Sequence, residues 1–125
     1  MEDRRSRGCE SNPIILEMEA NMSNEELNHL KELFEELKAT MKKYGTYGDR
    51  YMFYTLCEIV DIMNSDLTYE EKKVLILSRY DRLYIPHGGL AEFYIELSDE
   101  PKKMRELNIS LGNLKDEIAT MVKKL

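Results

Sequence analysis

The feature that most constrains the fold is a pair of heptad stripes, one near each end of the chain. The first consists of Leu27, Leu30, Phe34, Leu37, Met41 and Tyr44, and the second of Met104, Leu107, Leu111, Leu114, Ile118, Met121 and Leu125. Apolar residues that recur at intervals of three and four lie on one side of an α-helix, which must pack against another apolar surface. The two stripes therefore predict an antiparallel helix pair that frames the shorter elements between them.

Local signals predict where the helices begin and end. Ser23 with Glu26, and Thr68 with Glu71, have the spacing of a capping box, in which each side chain accepts a hydrogen bond from the other residue's backbone N–H. The predicted helices cover residues 23–44, 49–63, 68–83 and 101–125, and Asp99 is the predicted cap of the last. The second helix is predicted to be central and covered on most sides, because Tyr51, Phe53, Tyr54 and Cys57 widen its apolar face.

A glycine pair, Gly88-Gly89, interrupts the helical pattern. After it, Leu90, Phe93, Tyr94 and Leu97 follow at helical spacing and predict a short helix over residues 90–97, whereas Ile95 falls outside that stripe and leaves a short strand as the alternative. The predicted fold is an all-α bundle of four or five helices with short loops, in which the first and last helices are longest. Residues 1–22 are predicted to be a flexible N-terminal arm, and residues 23–125 a single helical domain.

Charge and composition exclude several classes of partner. The net charge is −6, and a phosphate-binding protein usually has a basic surface, so no nucleic acid is expected. No apolar run approaches the roughly 20 residues of a membrane helix, so no membrane partner is expected either. Cys9 and Cys57 form no Cys-x-x-Cys motif or disulfide framework, which favours a reducing, cytoplasmic location.

The charge is unevenly distributed along the chain. Residues 46–101 contain five Lys/Arg and eleven Asp/Glu, a net of −6, whereas residues 102–125 contain six and three, a net of +3. The two segments could pack together or face water. The basic segment could instead form a docking surface for an acidic partner.

Motifs for catalysis or metal binding are sparse. Glu26-x-x-His29 has the spacing that places a carboxylate and an imidazole on one helical face, but a di-iron bundle needs two such pairs. We predict no metal, no cofactor and no catalytic residue. An alternative is a small-molecule or metal-binding enzyme that uses Glu58, Asp61 and His87.

The segment around the glycine pair is the predicted binding site. Glycines allow positive φ or the close approach of another chain, and proline fixes the start of the turn. The candidate binding residues are Tyr84, His87, Gly88, Gly89, Glu92 and Tyr94. The alternative is a tight turn between packed helices that binds nothing.

The same segment resembles small all-helical bacterial proteins of unknown function. They share a Gly-Gly turn, an acidic-aromatic segment and an Asn-x-x-Leu helix, which correspond here to Gly88-Gly89-Leu90, Glu92-Phe93 and Asn108-x-x-Leu111. The resemblance covers about the last forty residues. Several such proteins are suspected immunity partners in toxin systems, and the resemblance implies no catalytic residue.

The sequence therefore predicts a non-enzymatic helical domain that binds another protein. It would act as an immunity-type or regulatory inhibitor by occlusion, with its acidic central surface and exposed tyrosines covering a basic partner. Besides the enzyme alternative, a self-assembling module stays open, in which the heptad stripes pair between chains to form a homodimer.

Overall fold

The computed structural model describes residues 22–84 and 89–125, and it confirms the all-α prediction for them. These two ranges contain four α-helices: α1 (Asn24–Tyr44), α2 (Arg50–Met63), α3 (Tyr69–Arg82) and α4 (Pro101–Val122). Short 3₁₀ turns cover Tyr47–Asp49 and Leu90–Glu92, and the described ranges contain no strand. Of these four described helices, α1 and α4 are the longest, as predicted for the first and last helices. None of the helices in these two ranges is long and apolar enough to cross a membrane.

Both predicted capping boxes are formed. At the start of α1, Ser23 Oγ accepts from the Glu26 N–H at 3.1 Å, and Glu26 Oε1 accepts from the Ser23 N–H at 3.1 Å. At the start of α3, Thr68 and Glu71 make the same exchange at 3.2 and 2.9 Å. These bonds satisfy backbone N–H groups that have no partner inside the helix, which is why the two starts could be predicted from sequence.

The two long helices pack as an antiparallel pair, as their stripes predict. Lys124 Nζ lies 3.5 Å from Glu26, and His29 Nε2 lies 2.8 Å from Glu117, so the start of α1 is beside the end of α4. Helix α1 also packs on α2, and α2 packs on α3. The stripe residues Leu30, Phe34 and Leu37 are fully buried between these helices. Of the predicted arm only Met22 is described; it is buried, and its N–H donates to Tyr69 Oη at 3.2 Å.

The prediction of a short helix over residues 90–97 is correct only for its first three residues. Residues 93–97, which follow the 3₁₀ turn, are neither helix nor strand. The backbone of Ile95 instead pairs with the side chain of Asn108, and Lys115 Nζ donates to the carbonyl oxygens of Leu90 and Phe93, each at 2.8 Å. Side chains of α4 therefore satisfy the backbone groups that a helix would have satisfied internally.

Two further predictions are wrong. Asp99 does not cap α4, because the N-cap position is occupied by Glu100, which makes no side-chain capping bond. Helix α2 is not covered on most sides, because Tyr51 is 52% exposed and Tyr54 is 63% exposed. A tyrosine can stand at the surface with its ring in water, so its apolar body does not require burial as a leucine does.

Candidate protein-binding surface

A row of exposed aromatic side chains runs along the outer side of α2. It consists of Tyr47, Tyr51 and Tyr54, which we call the tyrosine ridge. Their exposed fractions are 76%, 52% and 63%. Tyr51 and Tyr54 share one side of α2, since residues three apart on a helix are neighbours, and Tyr47 lies in the 3₁₀ turn just before the helix. Large exposed aromatic groups side by side are uncommon on a surface with no partner.

The ridge continues into an acidic end. Glu58 and Asp61 are both exposed and follow Tyr54 at intervals of four and three, which places them on the same side of α2. From Tyr51 to Asp61 the stripe is about 15 Å long, at about 1.5 Å of rise per residue. Aromatic and acidic groups thus share one helix face.

The other end of the ridge is cationic. The guanidinium Cζ of Arg50 stands 4.1 Å from the centre of the Tyr47 ring, and Lys43 Nζ is 5.2 Å from the centre of the Tyr44 ring. These distances are typical of cation–π contacts. The ridge therefore runs from a basic end at the start of α2 to an acidic end near its last turn.

Beside the basic end lies a groove of about 240 Å³ between the end of α1 and the start of α2. Its lining consists of Met41, Lys42, Gly45, Thr46, Asp49, Arg50, Phe53 and Tyr54. Pockets for drug-sized ligands usually measure roughly 300–1,000 Å³, so this groove suits a single side chain better than a cofactor. Of its three ionic groups, the Asp49 carboxylate already accepts from the Thr46 N–H at 2.8 Å, whereas Lys42 and Arg50 make no ion pair within the described ranges.

The predicted binding residues around the glycine pair are only partly described. His87 and Gly88 lie outside the described residues. Tyr84 is 41% exposed and Tyr94 is 58% exposed, and Glu92 is exposed, whereas Gly89 is buried. A role for these six residues in binding stays a prediction.

The two ends of that turn are fixed to the rest of the fold. The N–H of Leu90 donates to the carbonyl oxygen of Leu83, and both side chains are fully buried. Tyr84 Oη accepts from Tyr80 Oη at 3.2 Å, and Tyr94 Oη donates to Glu96 at 2.6 Å. Leu83 and Leu90, one on each side of residues 85–88, are thus firmly packed.

Two of the three residues of the enzyme alternative, Glu58 and Asp61, are described, and both are exposed. Glu58 Oε1 lies 3.4 Å from Arg79 Nε and 4.0 Å from Arg82 Nη1, so its carboxylate is engaged in ion pairs at the surface. Asp61 is exposed, and His87 lies outside the described residues.

The Glu26-x-x-His29 pair is likewise engaged elsewhere. Glu26 caps α1, and His29 contacts Glu117. In the part of the chain that the structure describes, no group of three His, Cys, Asp or Glu side chains is placed to hold a metal ion.

Sequence reasoning did not predict the ridge as a site, although its signal was present. The intervals of four, three, four and three from Tyr47 to Asp61 form a stripe that lies beside the buried stripe of Met52, Leu56, Ile59 and Met63. Reading both stripes together would have placed the tyrosines outward. Composition alone could not, because tyrosine occurs in both cores and surfaces.

Comparisons with protein-family models, with curated proteins and with solved structures find no match for this chain. The resemblance to small bacterial helical proteins therefore stays a prediction.

Proposed function

We propose that this chain is a non-enzymatic helical domain that binds another protein through the tyrosine ridge and acts by occluding that protein's surface. The observation that supports it most is the row of three tyrosines, each more than half exposed, on one helix of an otherwise well-packed bundle. Tyrosine is enriched at protein interfaces and among the residues that dominate binding energy, because its ring is large and rigid and its hydroxyl can still bond.

The acidic end of the ridge favours a partner that carries a basic group at this point of the contact. Asp61 is exposed and makes no ion pair with a described residue, Glu58 shares its carboxylate with Arg79 and Arg82, and the chain as a whole is acidic. Opposite charge at such a place speeds association and selects among partners. This is the chemistry of an immunity-type or regulatory inhibitor, and a cytoplasmic location is part of the same proposal.

The test is site-directed photo-cross-linking in a lysate of the source organism. A benzoylphenylalanine replaces Tyr51 on the ridge, and in a matched control it replaces Ile109, which is 59% exposed on α4. The expected result is a discrete protein adduct from position 51, stronger at low salt than at high salt, and none from position 109. Equal labelling from both positions, or none from position 51, contradicts the proposal.

A further inference from the structure

The basic end of the ridge combines three features that specify a ligand group. The first is the arrangement of Arg50 on Tyr47. Stacking on an aromatic face fixes the plane of a guanidinium and leaves its N–H donors, which lie in that plane, free to bond. Within the described ranges, nothing accepts from the Arg50 guanidinium, so its donors face solvent at the groove edge.

The second feature is the local charge. Lys42 lines the same groove as Arg50, Lys43 follows it at the end of α1, both are exposed, and neither makes an ion pair with a described residue. Asp49 is the acidic residue in the groove lining, and its carboxylate is bonded to Thr46 by 2.8 and 3.2 Å contacts. An acidic protein thus presents a cationic edge here.

The third feature is the shape and polarity of the groove. Met41 is 3% exposed at its base, and Phe53 and Tyr54 form an edge-on aromatic pair with ring centres 6.1 Å apart. These side chains offer apolar contact to one large inserted side chain, while Arg50 stands at the rim.

We propose that this groove takes an acidic segment of a partner protein, with a large apolar side chain in the groove and a neighbouring carboxylate on the guanidinium of Arg50. Arginine binds carboxylates by two parallel hydrogen bonds, which adds geometric selection to charge. The inference rests on the proposed function and deepens it. A partner that meets both ends of the ridge is acidic at one end of its contact and basic at the other, and this polarity fixes its orientation.

A single-stranded nucleic acid is the competing ligand, because it also combines anionic groups with flat rings that stack on tyrosine. The chain's net charge of −6 opposes it, since binding a phosphate backbone is dominated by its charge. A short acidic peptide brings only one or two negative charges to the groove, so the net negative charge of the chain repels it less than it repels a nucleic acid.

The test is an NMR titration of the ¹⁵N-labelled full chain with four probes. Three are capped pentapeptides: a phenylalanine between two aspartates, a phenylalanine between two lysines, and an alanine between two aspartates. The fourth is a ten-nucleotide oligothymidylate. The expected result is that the first peptide alone shifts the amide signals of Gly45, Thr46, Phe53 and Tyr54, with millimolar affinity that weakens as salt is added.

Two variants check the role of the guanidinium. Arg50→Gln is expected to weaken the first peptide at least fivefold, whereas Arg105→Gln, at an exposed arginine of α4, leaves it unchanged. Equal binding of the lysine peptide, binding of the alanine peptide or the oligonucleotide at these signals, or no shift with any probe at 10 mM overturns the inference. Because the cross-link at position 51 tests the ridge separately, this result can fail while the proposed function stands.

Discussion

The side-chain amide of Asn108 on α4 bonds to both backbone groups of Ile95: Oδ1 accepts from the N–H at 2.7 Å, and Nδ2 donates to the carbonyl oxygen at 2.8 Å. The carboxamide thus makes the two hydrogen bonds to Ile95 that a neighbouring β-strand would otherwise make. Ile95 is 1% exposed, so these backbone groups have little access to water. One carboxamide therefore holds the extended segment after the 3₁₀ turn against the helix.

Replacing Asn108 should destabilise the fold. Asn108→Ala leaves the buried backbone groups of Ile95 without partners, and an unsatisfied buried polar group costs about 1–3 kcal/mol. The expected loss in the free energy of unfolding, measured by urea denaturation, is about 2 kcal/mol. Asn113→Ala is the matched control, because Asn113 is an exposed asparagine on the same helix. An equal effect of the two substitutions would show that the hydrogen bonds between Asn108 and Ile95 contribute nothing to stability.

Glycine is needed at one described position and replaceable at another. A Cβ at Gly45 would collide with the carbonyl oxygen of Met41, which accepts the N–H that ends α1, whereas a Cβ at Gly112 meets nothing within 4 Å. We expect Gly45→Ala to lower the melting temperature and Gly112→Ala to raise it, since alanine is favoured over glycine inside a helix by about 1 kcal/mol. Calorimetry of both variants tests this, and shifts of the same sign would refute it.

The half-buried phenol of Tyr80 should make the fold sensitive to alkali. Burial, and then the hydrogen bond to Tyr84, raise the pKa of Tyr80 well above its usual value near 10. Above pH 10 the unfolded chain loses a proton that the folded chain keeps, so the free energy of unfolding falls as pH rises. Tyr80→Phe should flatten this fall in urea denaturation between pH 9 and pH 11.

The pKa shift of Lys115 changes the free energy of unfolding with pH in the opposite direction, so Lys115 stays unchanged in every variant of that comparison. Burial lowers the pKa of Lys115 below 10.5, so the unfolded chain keeps a proton that the folded chain loses, and this contribution to stability rises with pH up to 10.5. Tyr47→Phe, at an exposed tyrosine, is the control. If Tyr80→Phe and Tyr47→Phe change the alkaline slope equally, burial of Tyr80 is not the cause.

The sequence predicted the parts of the fold that depend on local or periodic signals. The two capping boxes and the two heptad stripes specify helix starts and buried faces without knowledge of any distant contact. The path of residues 93–97 could not be predicted in this way, because its backbone partners, Asn108 and Lys115, come from a helix further along the chain.

For the candidate site, the sequence predicted the types of residue that take part but not their position in the fold. An acidic central surface and exposed tyrosines were expected, but the candidate binding residues were placed around the glycine pair, and Tyr51 and Tyr54 were assigned to the covered apolar face of α2. Whether Tyr51 faces the core or water depends on which side of α2 the neighbouring helices cover, and that is a tertiary property. Val74 is a second example of a tertiary effect: residues 74–77 of α3 are all apolar, yet Val74 is 65% exposed and only Ile76 of the four is buried.

The most direct test of the central claim is the affinity of the cross-linked partner, once purified, for two variants of this chain. Isothermal titration should show that Tyr51→Ala/Tyr54→Ala binds at least tenfold more weakly than the unchanged chain, which corresponds to about 1.4 kcal/mol. Tyr94→Ala, at an equally exposed tyrosine beside the glycine turn, should bind as the unchanged chain does. Full affinity in the double variant, or a loss confined to Tyr94→Ala, would contradict the assignment of binding to the tyrosine ridge.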